Sequence, residues 1–308
     1  MIGGIPIDPD GVSDPASNSE DSSWDGGGSV VRLSLSVFAE NRLAVAGLGV
    51  VVALALFCFI GPLVYHTNQV QTSLGVQDQG PSLRHVLGTD DVGYDILGRL
   101  MVGGQTTLVV GVVVALLATS FGVVWGAMAG FAGGLVDTFM MRAVDSLLAI
   151  PTLFLLLFLA SIFTPSELLL IIVIASVAWL VPSRLVRAET LSVKTRQFVE
   201  AAQGQGSGPT RIILRHVIPN VFGTMVVNAT FQVADAILAV TSLSFLGLGI
   251  PPPAANWGGM LSNGVNYVYN GYWWQVWPAG LCIVLVVVAF NFIGDGLRDT
   301  FEVRLQRR

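Results

Sequence analysis

The sequence predicts an all-α polytopic membrane protein with six transmembrane helices. Three observations carry this reading. Apolar residues make up 53% of the 308 and charged residues only 11%, with mean hydropathy +0.71, whereas a soluble domain of this length would need more charge on its surface. Apolar runs recur at about 43–64, 106–128, 143–163, 168–186, 218–245 and 276–296. Finally, Lys and Arg segregate to one side of those runs only if their number is even.

Residues 1–31 are rich in Gly, Ser, Asp and Pro. They carry Asp8, Asp10, Asp14, Glu20, Asp21 and Asp25, with no basic residue before Arg32. Such a segment buries too little apolar surface to order itself, so an acidic, disordered cytosolic tail is expected. It does not read as a signal peptide, because no short basic region precedes a compact apolar stretch.

The first span, 43–64, contains no charge, and at 1.5 Å per residue it reaches roughly 33 Å, enough to cross a hydrocarbon core. With an outer loop it forms a unit over 32–105, and the remaining five spans form a core over 106–308. In the loop, His85–Leu100 reads HVLGTDDVGYDILGRL. Ile96, Leu97 and Leu100 give one apolar face to a short helix expected to lie along the outer membrane surface. His85, Asp90, Asp91 and Asp95 are metal-ligating types, but their spacing matches no metal motif. Asp and Thr here read as turn and cap residues.

Gly122, Gly126 and Gly130 recur at four-residue steps in the second span, a smooth strip for close approach of another helix. Beyond it runs GFAGGLVD, and then Arg142 and Asp145 are spaced to pair on one helical face. The third and fourth spans are joined by so short a turn, around Thr164–Glu167, that they must form a hairpin.

Residues 198–220, FVEAAQGQGSGPTRIILRHVIPN, are too polar to enter a bilayer and too patterned for a slack linker. A helix is expected up to Ala202, broken by Gly204 and Gly206. Gly206 can take the left-handed conformation that closes a helix. Ser207 or Gly208 can cap a second start, with Pro209 at its first position, and this short helix carries Arg211 and Arg215 toward Pro219.

In the fifth span Asn220, Thr224, Asn228, Gln232 and Asp235 fall within roughly 120° of arc. A polar stripe on a membrane helix faces protein or water. Two readings stay open: it lines a translocation path, with Asp235 meeting a cationic group of the solute, or it hydrogen-bonds neighbouring helices without touching solute. Thr241–Leu261 then reads TSLSFLGLGIPPPAANWGGML, and Tyr267, Tyr269, Tyr272, Trp273, Trp274 and Trp277 crowd the outer end of the sixth span, where an aromatic belt is expected.

Orientation follows from the basic residues. With the N-terminus inside, Arg32, Arg42, Arg142, Arg184, Arg187, Lys194, Arg196, Arg211, Arg215, Arg298, Arg304, Arg307 and Arg308 face the cytosol. Of the 15 Lys and Arg, only Arg84 and Arg99 lie outside. Both termini and segment 198–220 are therefore expected in the cytosol.

Several chemistries are excluded. The only lysine, Lys194, follows Val193, so no Gly-Lys of a P-loop exists. Gly204, Gly206 and Gly208 follow no strand and lack a third glycine at Pro209, which rules out a dinucleotide fingerprint. His66, His85 and His216 are scattered, and no nucleophile elbow is present. Cys58 and Cys282 fall in apolar runs and read as small hydrophobes. No cofactor, metal, nucleic-acid partner or catalytic residue is expected on this chain.

The order Glu200, Ala201, Ala202, Gly206, Ile218, Pro219 resembles the EAA loop of ATP-binding-cassette (ABC) importer permeases, although His216 and Ile218 depart from its consensus. HVLGTDD resembles the His-Pro-Leu-Gly-Thr-Asp-Asp signature of dipeptide and oligopeptide permeases of the second subunit type, with Val86 for Pro and Tyr94 for Arg. GFAGGLVD, LSFLGLGIPPPAANWGGML and the ending Asn291, Gly294, Asp295, Leu297, Arg298, Asp299 are similar to further signatures of that family. Val240 stands where many relatives carry Glu. The resemblance spans about residues 35–305.

It implies a type I ABC importer permease fold in the cytoplasmic (inner) membrane and a non-catalytic subunit. Glu200, Ala201, Ala202, Gly206, Ser207, Pro209, Arg211 and Arg215 would dock into a separate ATPase; Thr224, Asn228, Gln232 and Asp235 are candidates for the path on the polar-stripe reading alone. It further implies a homologous permease partner in a heterodimer, two ATPase subunits that bind ATP and magnesium, an extracytoplasmic solute-binding protein, and surrounding lipid. Peptides are the implied solute, and nickel or another small solute is the alternative within the class. A secondary transporter would typically show internal repeats and helices broken at mid-membrane, and no such repeat is visible.

Overall fold

A computed structural model describes residues 37–306, so the tail expected over 1–31 lies outside the described residues, as do Arg32, Arg307 and Arg308. After a helical turn at 37–40, the first span, α1 (Arg42–Phe59), starts where the Asn41 side chain accepts from the N–H groups of Leu43 and Ala44 at 3.1 and 3.2 Å. One further turn, Gly61–Val64, leads into the long loop that the sequence reading places outside.

In that loop Asp90 Oδ1 accepts the backbone N–H groups of Val92 (3.1 Å) and Tyr94 (2.7 Å), closing a turn. Asp95 caps the next helix by accepting from the Gly98 N–H at 2.8 Å. The turn-and-cap reading of these acids is observed. His85 Nδ1 and the Tyr65 hydroxyl both lie 2.9 Å from Asp95 Oδ2.

Helix α2 (Ile96–Ala132) runs 37 residues and ends at Gly133, which has φ 68°. The expected surface helix is therefore absent as a separate element. Ile96 and Leu100 are buried in the first turns of α2, because Asp95 starts a helix that nothing interrupts.

The expected continuous third span, 143–163, is also corrected. It is split between α3 (Gly134–Leu148) and α4 (Thr152–Ile162), which meet at 85°. Pro151 is the cause: it has no N–H to donate, its ring would clash with the carbonyl four residues back, and it biases Ile150 away from helix. Helix α4, with 11 residues, reaches roughly 16 Å, about half a hydrocarbon core. Among the described residues five helices are long and apolar enough to cross a membrane, or six with this bent pair as one span.

The hairpin at Thr164–Glu167 is observed, with Ser166 capping α5 (Glu167–Ala178) by accepting from Leu169 N at 3.2 Å. Helix α6 (Leu180–Lys194) continues beyond Trp179. Two short helices, α7 (Gln197–Gly204) and α8 (Pro209–Ile212), precede α9 (Ile218–Leu243). Helix α10 (Trp257–Val265) and the final span α11 (Trp277–Gln306) complete the described chain.

Helix α2 is the axis: it packs along α6 and α9, and α9 packs on α11, which packs on α1. The glycine strip explains the first contact. A Cβ on Gly122 would sit 2.7 Å from the Pro182 Cβ and 3.0 Å from the Trp179 carbonyl oxygen, and one on Gly130 would lie 2.9 Å from the Thr190 Cβ. On Gly126 it would strike the Ser183 carbonyl oxygen. Helix α6 thus runs almost backbone to backbone along α2. Leu48, Val52 and Leu56 on α1 and Leu281, Val284 and Val288 on α11 are exposed, an apolar surface suited to lipid.

The aromatic belt divides. Tyr269, Trp273 and Trp277 are exposed. Trp274 instead donates from Nε1 to the Thr89 carbonyl at 3.2 Å, and the Tyr267 hydroxyl donates to Asp91 at 3.1 Å, so these rings clamp the outer loop. Gln275 adds a 2.7 Å bond to Asp78. The expected Arg142–Asp145 pair is replaced: Asp145 accepts from Arg184 of α6, with Nε at 3.1 Å. A partner across the helix interface wins over one three residues along the same helix.

Candidate coupling loop and polar cavity

Helix α7 persists through Gly204, two residues beyond Ala202, the last one expected to be helical, so that Gly206 rather than Gly204 makes the break. It closes at Gly206, whose φ is 78°, with its N–H donating to the Gln203 carbonyl at 2.9 Å and the Ser207 N–H to the Ala202 carbonyl at 3.1 Å. That pair of bonds is the Schellman pattern, and only glycine enters it without a Cβ penalty. Gly208, not Ser207, is the N-cap of α8, and Pro209 holds its first turn. A wide π turn, Ile213–Val217, leads into α9, where Pro219 could not have donated to a regular ladder.

The loop is anchored from within. Val199, Ala202, Ile212 and Val217 are buried in a cluster with Val123, Ala127, Val186, Val193 and Val221 from α2, α6 and α9. Of the sequence-derived coupling residues, Glu200, Ala201, Gly206, Pro209, Arg211 and Arg215 are exposed, Ser207 is half-buried and Ala202 is inside. Ala202 thus braces the loop rather than presenting a surface. Leu214, 62% exposed, adds an apolar group between Arg211 and Arg215. Among the described residues neither arginine forms an ion pair, so the knuckle offers two cations, an acid and an apolar side chain.

The polar stripe separates into three parts. Asn220 turns back to the His216 carbonyl at 2.6 Å. Thr224 donates to Glu189 of α6 at 3.0 Å. Asn228, Gln232 and Asp235 wall a cavity of about 250 Å³, lined also by Ile174, Val177 and Ala178 of α5 and by Leu148 and Thr152 at the α3–α4 break. Gln232 donates to the Ala178 carbonyl at 3.3 Å, whereas the Asn228 Oδ1 is buried with no partner among the described residues. Asp235 is exposed and forms no hydrogen bond or ion pair among the described residues.

Sequence reading missed Glu189, which lies past the expected end of the fourth span, and Asp137, held by Arg187 of α6. The run Arg184, Arg187, Glu189 on one helix was the available signal, but its partners are on α3 and α9. The role of Pro151 in shaping the cavity was hidden because an apolar run continues on both sides of it.

Residues 122–307 match the family described as binding-protein-dependent transport system inner membrane component. Residues 29–81 match the N-terminal transmembrane domain of oligopeptide transport permease C. The chain is 40% identical over 274 residues to a putative peptide permease protein of Brucella suis, covering 89% of this chain and 91% of that one. It is 36% identical over 270 residues to the oligopeptide transport system permease protein OppC of Bacillus subtilis, covering 88% of each. Over 267 residues it is 40% identical to the OppC of Escherichia coli K12, covering 86% of this chain and 88% of that one.

Proposed function

The chain belongs to the family of binding-protein-dependent transport system inner membrane components, and on that premise we propose that it is the second-type permease subunit of an ATP-driven peptide importer. The observation that supports coupling is the knuckle at 197–217. Its apolar side is keyed into α2, α6 and α9, and its outer side presents Glu200, Ala201, Arg211, Leu214 and Arg215. A push on α8 is therefore passed to the spans through packed side chains rather than absorbed by a slack loop.

The subunit pairs with a homologous permease, rests on two ATPase subunits that carry ATP and magnesium, and receives peptide from an extracytoplasmic binding protein. Closure of the ATPases displaces the knuckle and rocks the bundle between inward-open and outward-open states. The knuckle and both termini lie in the cytosol, as the excess of Lys and Arg on that side supports. Asn228, Gln232 and Asp235 line part of the path, with Asp235 facing a cationic group of the solute.

Uptake of labelled peptide into vesicles holding the purified assembly, with and without ATP, tests this. Accumulation that needs ATP and is competed by unlabelled peptides is expected, and two P-loop proteins copurify with the chain. ATP-independent uptake driven by an ion gradient would overturn the coupling, and competition by metal ions but not peptides would overturn the substrate.

A further inference from the structure

A second cavity, of about 340 Å³, lies at the outer end of the bundle. Its wall combines the 244–264 segment with Arg99 of α2, Asp90 of the outer loop and Gln275. Arg99 is only 7% exposed. It donates from Nη1 to the Pro253 carbonyl at 2.6 Å, and its guanidinium lies 4.2 Å from the centre of the Tyr94 ring. Among the described residues no carboxylate stands within ion-pair distance of it. Asp90 spends Oδ1 on the N–H groups of Val92 and Tyr94, and among the described residues Oδ2 has no hydrogen-bond partner. Ser244, 3% exposed, shares the wall with a hydroxyl that likewise has no partner among the described residues.

A buried guanidinium with spare donors calls for an anion, ideally a planar carboxylate that accepts two of its N–H groups. A carboxylate with a free oxygen on the same wall calls for a cation. Burial pushes the Asp90 carboxyl up, against the lowering pull of the Tyr94 and Val92 N–H groups and of Arg99, and a bound ammonium would offset that cost. Neither charge is satisfied by the other through direct contact, and the volume is that of a small-ligand site.

We propose that this outer cavity is a binding site for a small zwitterion, a free amino acid or short peptide whose carboxylate meets Arg99 and whose ammonium meets Asp90. A lipid headgroup can supply an ammonium beside a phosphate, so the test includes one. The site is separate from the Asn228–Asp235 cavity, and its chemistry does not rest on the peptide-importer reading.

The assembly that copurifies with this chain, in nanodiscs and without the extracytoplasmic binding protein, is titrated by calorimetry with dialanine, its C-terminal amide, its N-acetyl form and phosphoethanolamine. Dialanine is expected to bind, with each blocked form weaker by about tenfold or more, the scale of one lost charged hydrogen bond. Arg99→Gln should abolish the preference for acid over amide, and Asp90→Asn the preference for free over acetylated amine. The proposal fails if wild type binds dialanine no better than its blocked forms, if phosphoethanolamine binds and dialanine does not, or if both variants keep the wild-type preferences. Should Arg99→Gln not assemble, the wild-type comparison and Asp90→Asn decide alone. ATP-driven peptide uptake measured on the same preparation with binding protein separates this failure from failure of the proposed function.

Discussion

Arg187 holds Asp137 through two parallel hydrogen bonds, Nε to Oδ1 at 2.5 Å and Nη2 to Oδ2 at 2.6 Å. The pair ties α6 to α3, the helix that turns 85° into α4 beside the polar cavity. With side chains 33% and 12% exposed, this fork is better shielded than Arg184–Asp145, whose partners are 51% and 47% exposed. Asp137→Ala should therefore cost about 1–3 kcal/mol, as loss of charge-assisted bonds to a partly buried partner does. Asp145→Ala should cost about 0–1 kcal/mol, in the range of open surface pairs. Thermal unfolding of the purified protein in one detergent ranks the two, and equal losses would contradict the ranking.

The glycines divide in the same way between those that are crowded and those that are not. On Gly126 a Cβ would meet the Ser183 carbonyl oxygen and lie 2.9 Å from the Arg187 backbone nitrogen, so Gly126→Val must push α2 and α6 apart. A loss of about 3 kcal/mol or more is expected, beyond the usual overpacking cost because backbone cannot rotate away. Gly204 ends α7 with nothing within 4 Å of its would-be Cβ. There Gly204→Ala should stabilise the helix by about 0.5–1 kcal/mol. Expression and unfolding temperature of the two variants should move in opposite directions, and a tolerated Gly126→Val would refute the close approach.

That contrast shows what was legible in the sequence. The Gly122, Gly126, Gly130 spacing identified a contact face, because helical period alone places the three on one side, but it could not name α6 as the partner. Hydropathy located the spans, since a hydrocarbon core demands length. It ran straight through Ala149–Pro151, because a break lined by apolar side chains leaves the mean unchanged. The polar stripe was read correctly as facing inward at Thr224 and Gln232, which bond to α6 and α5. Asp145 was misread because a local spacing rule knows nothing of Arg184, brought to it from 39 residues away. The outer aromatics were assigned to a membrane belt for want of any sequence signal that Trp274 and Tyr267 fold onto the outer loop.

Gly206 provides the test of the coupling element. Its φ of 78° and its N–H bond to Gln203 make it the pivot between α7 and α8, yet it touches nothing at its would-be Cβ. Gly206→Ala should then cost only roughly 1–2 kcal/mol locally, the left-handed penalty. Gly206→Pro removes the N–H and demands φ near −65°, so the turn cannot form. The spans should still insert in that variant, while solute-stimulated ATP hydrolysis and coupled transport are lost. Gly206→Asn should keep more activity than Gly206→Ala, since Asn tolerates the left-handed region. Normal stimulated hydrolysis in Gly206→Pro would remove the knuckle from the mechanism.

The Asn228–Asp235 cavity separates solute contact from helix gluing, because its members differ in their partners. Gln232 donates to the Ala178 carbonyl at 3.3 Å, so Gln232→Ala removes a tie between α9 and α5 as well as a wall group. Asp235 has no such tie, and Asp235→Asn changes charge at nearly constant shape. If the side chain does not meet solute, Asp235→Asn should leave rate and solute preference unchanged, since among the described residues there is no bond to lose. If it meets a cationic group, uptake of a free-amine peptide should fall by about tenfold or more, as loss of a charge-assisted contact implies, while an N-acetylated one is spared. Competition assays with the matched pair of peptides, on an assembly of verified subunit content, distinguish the outcomes. Equal effects on both peptides would assign Asp235 to packing and take the solute path away from this face of α9.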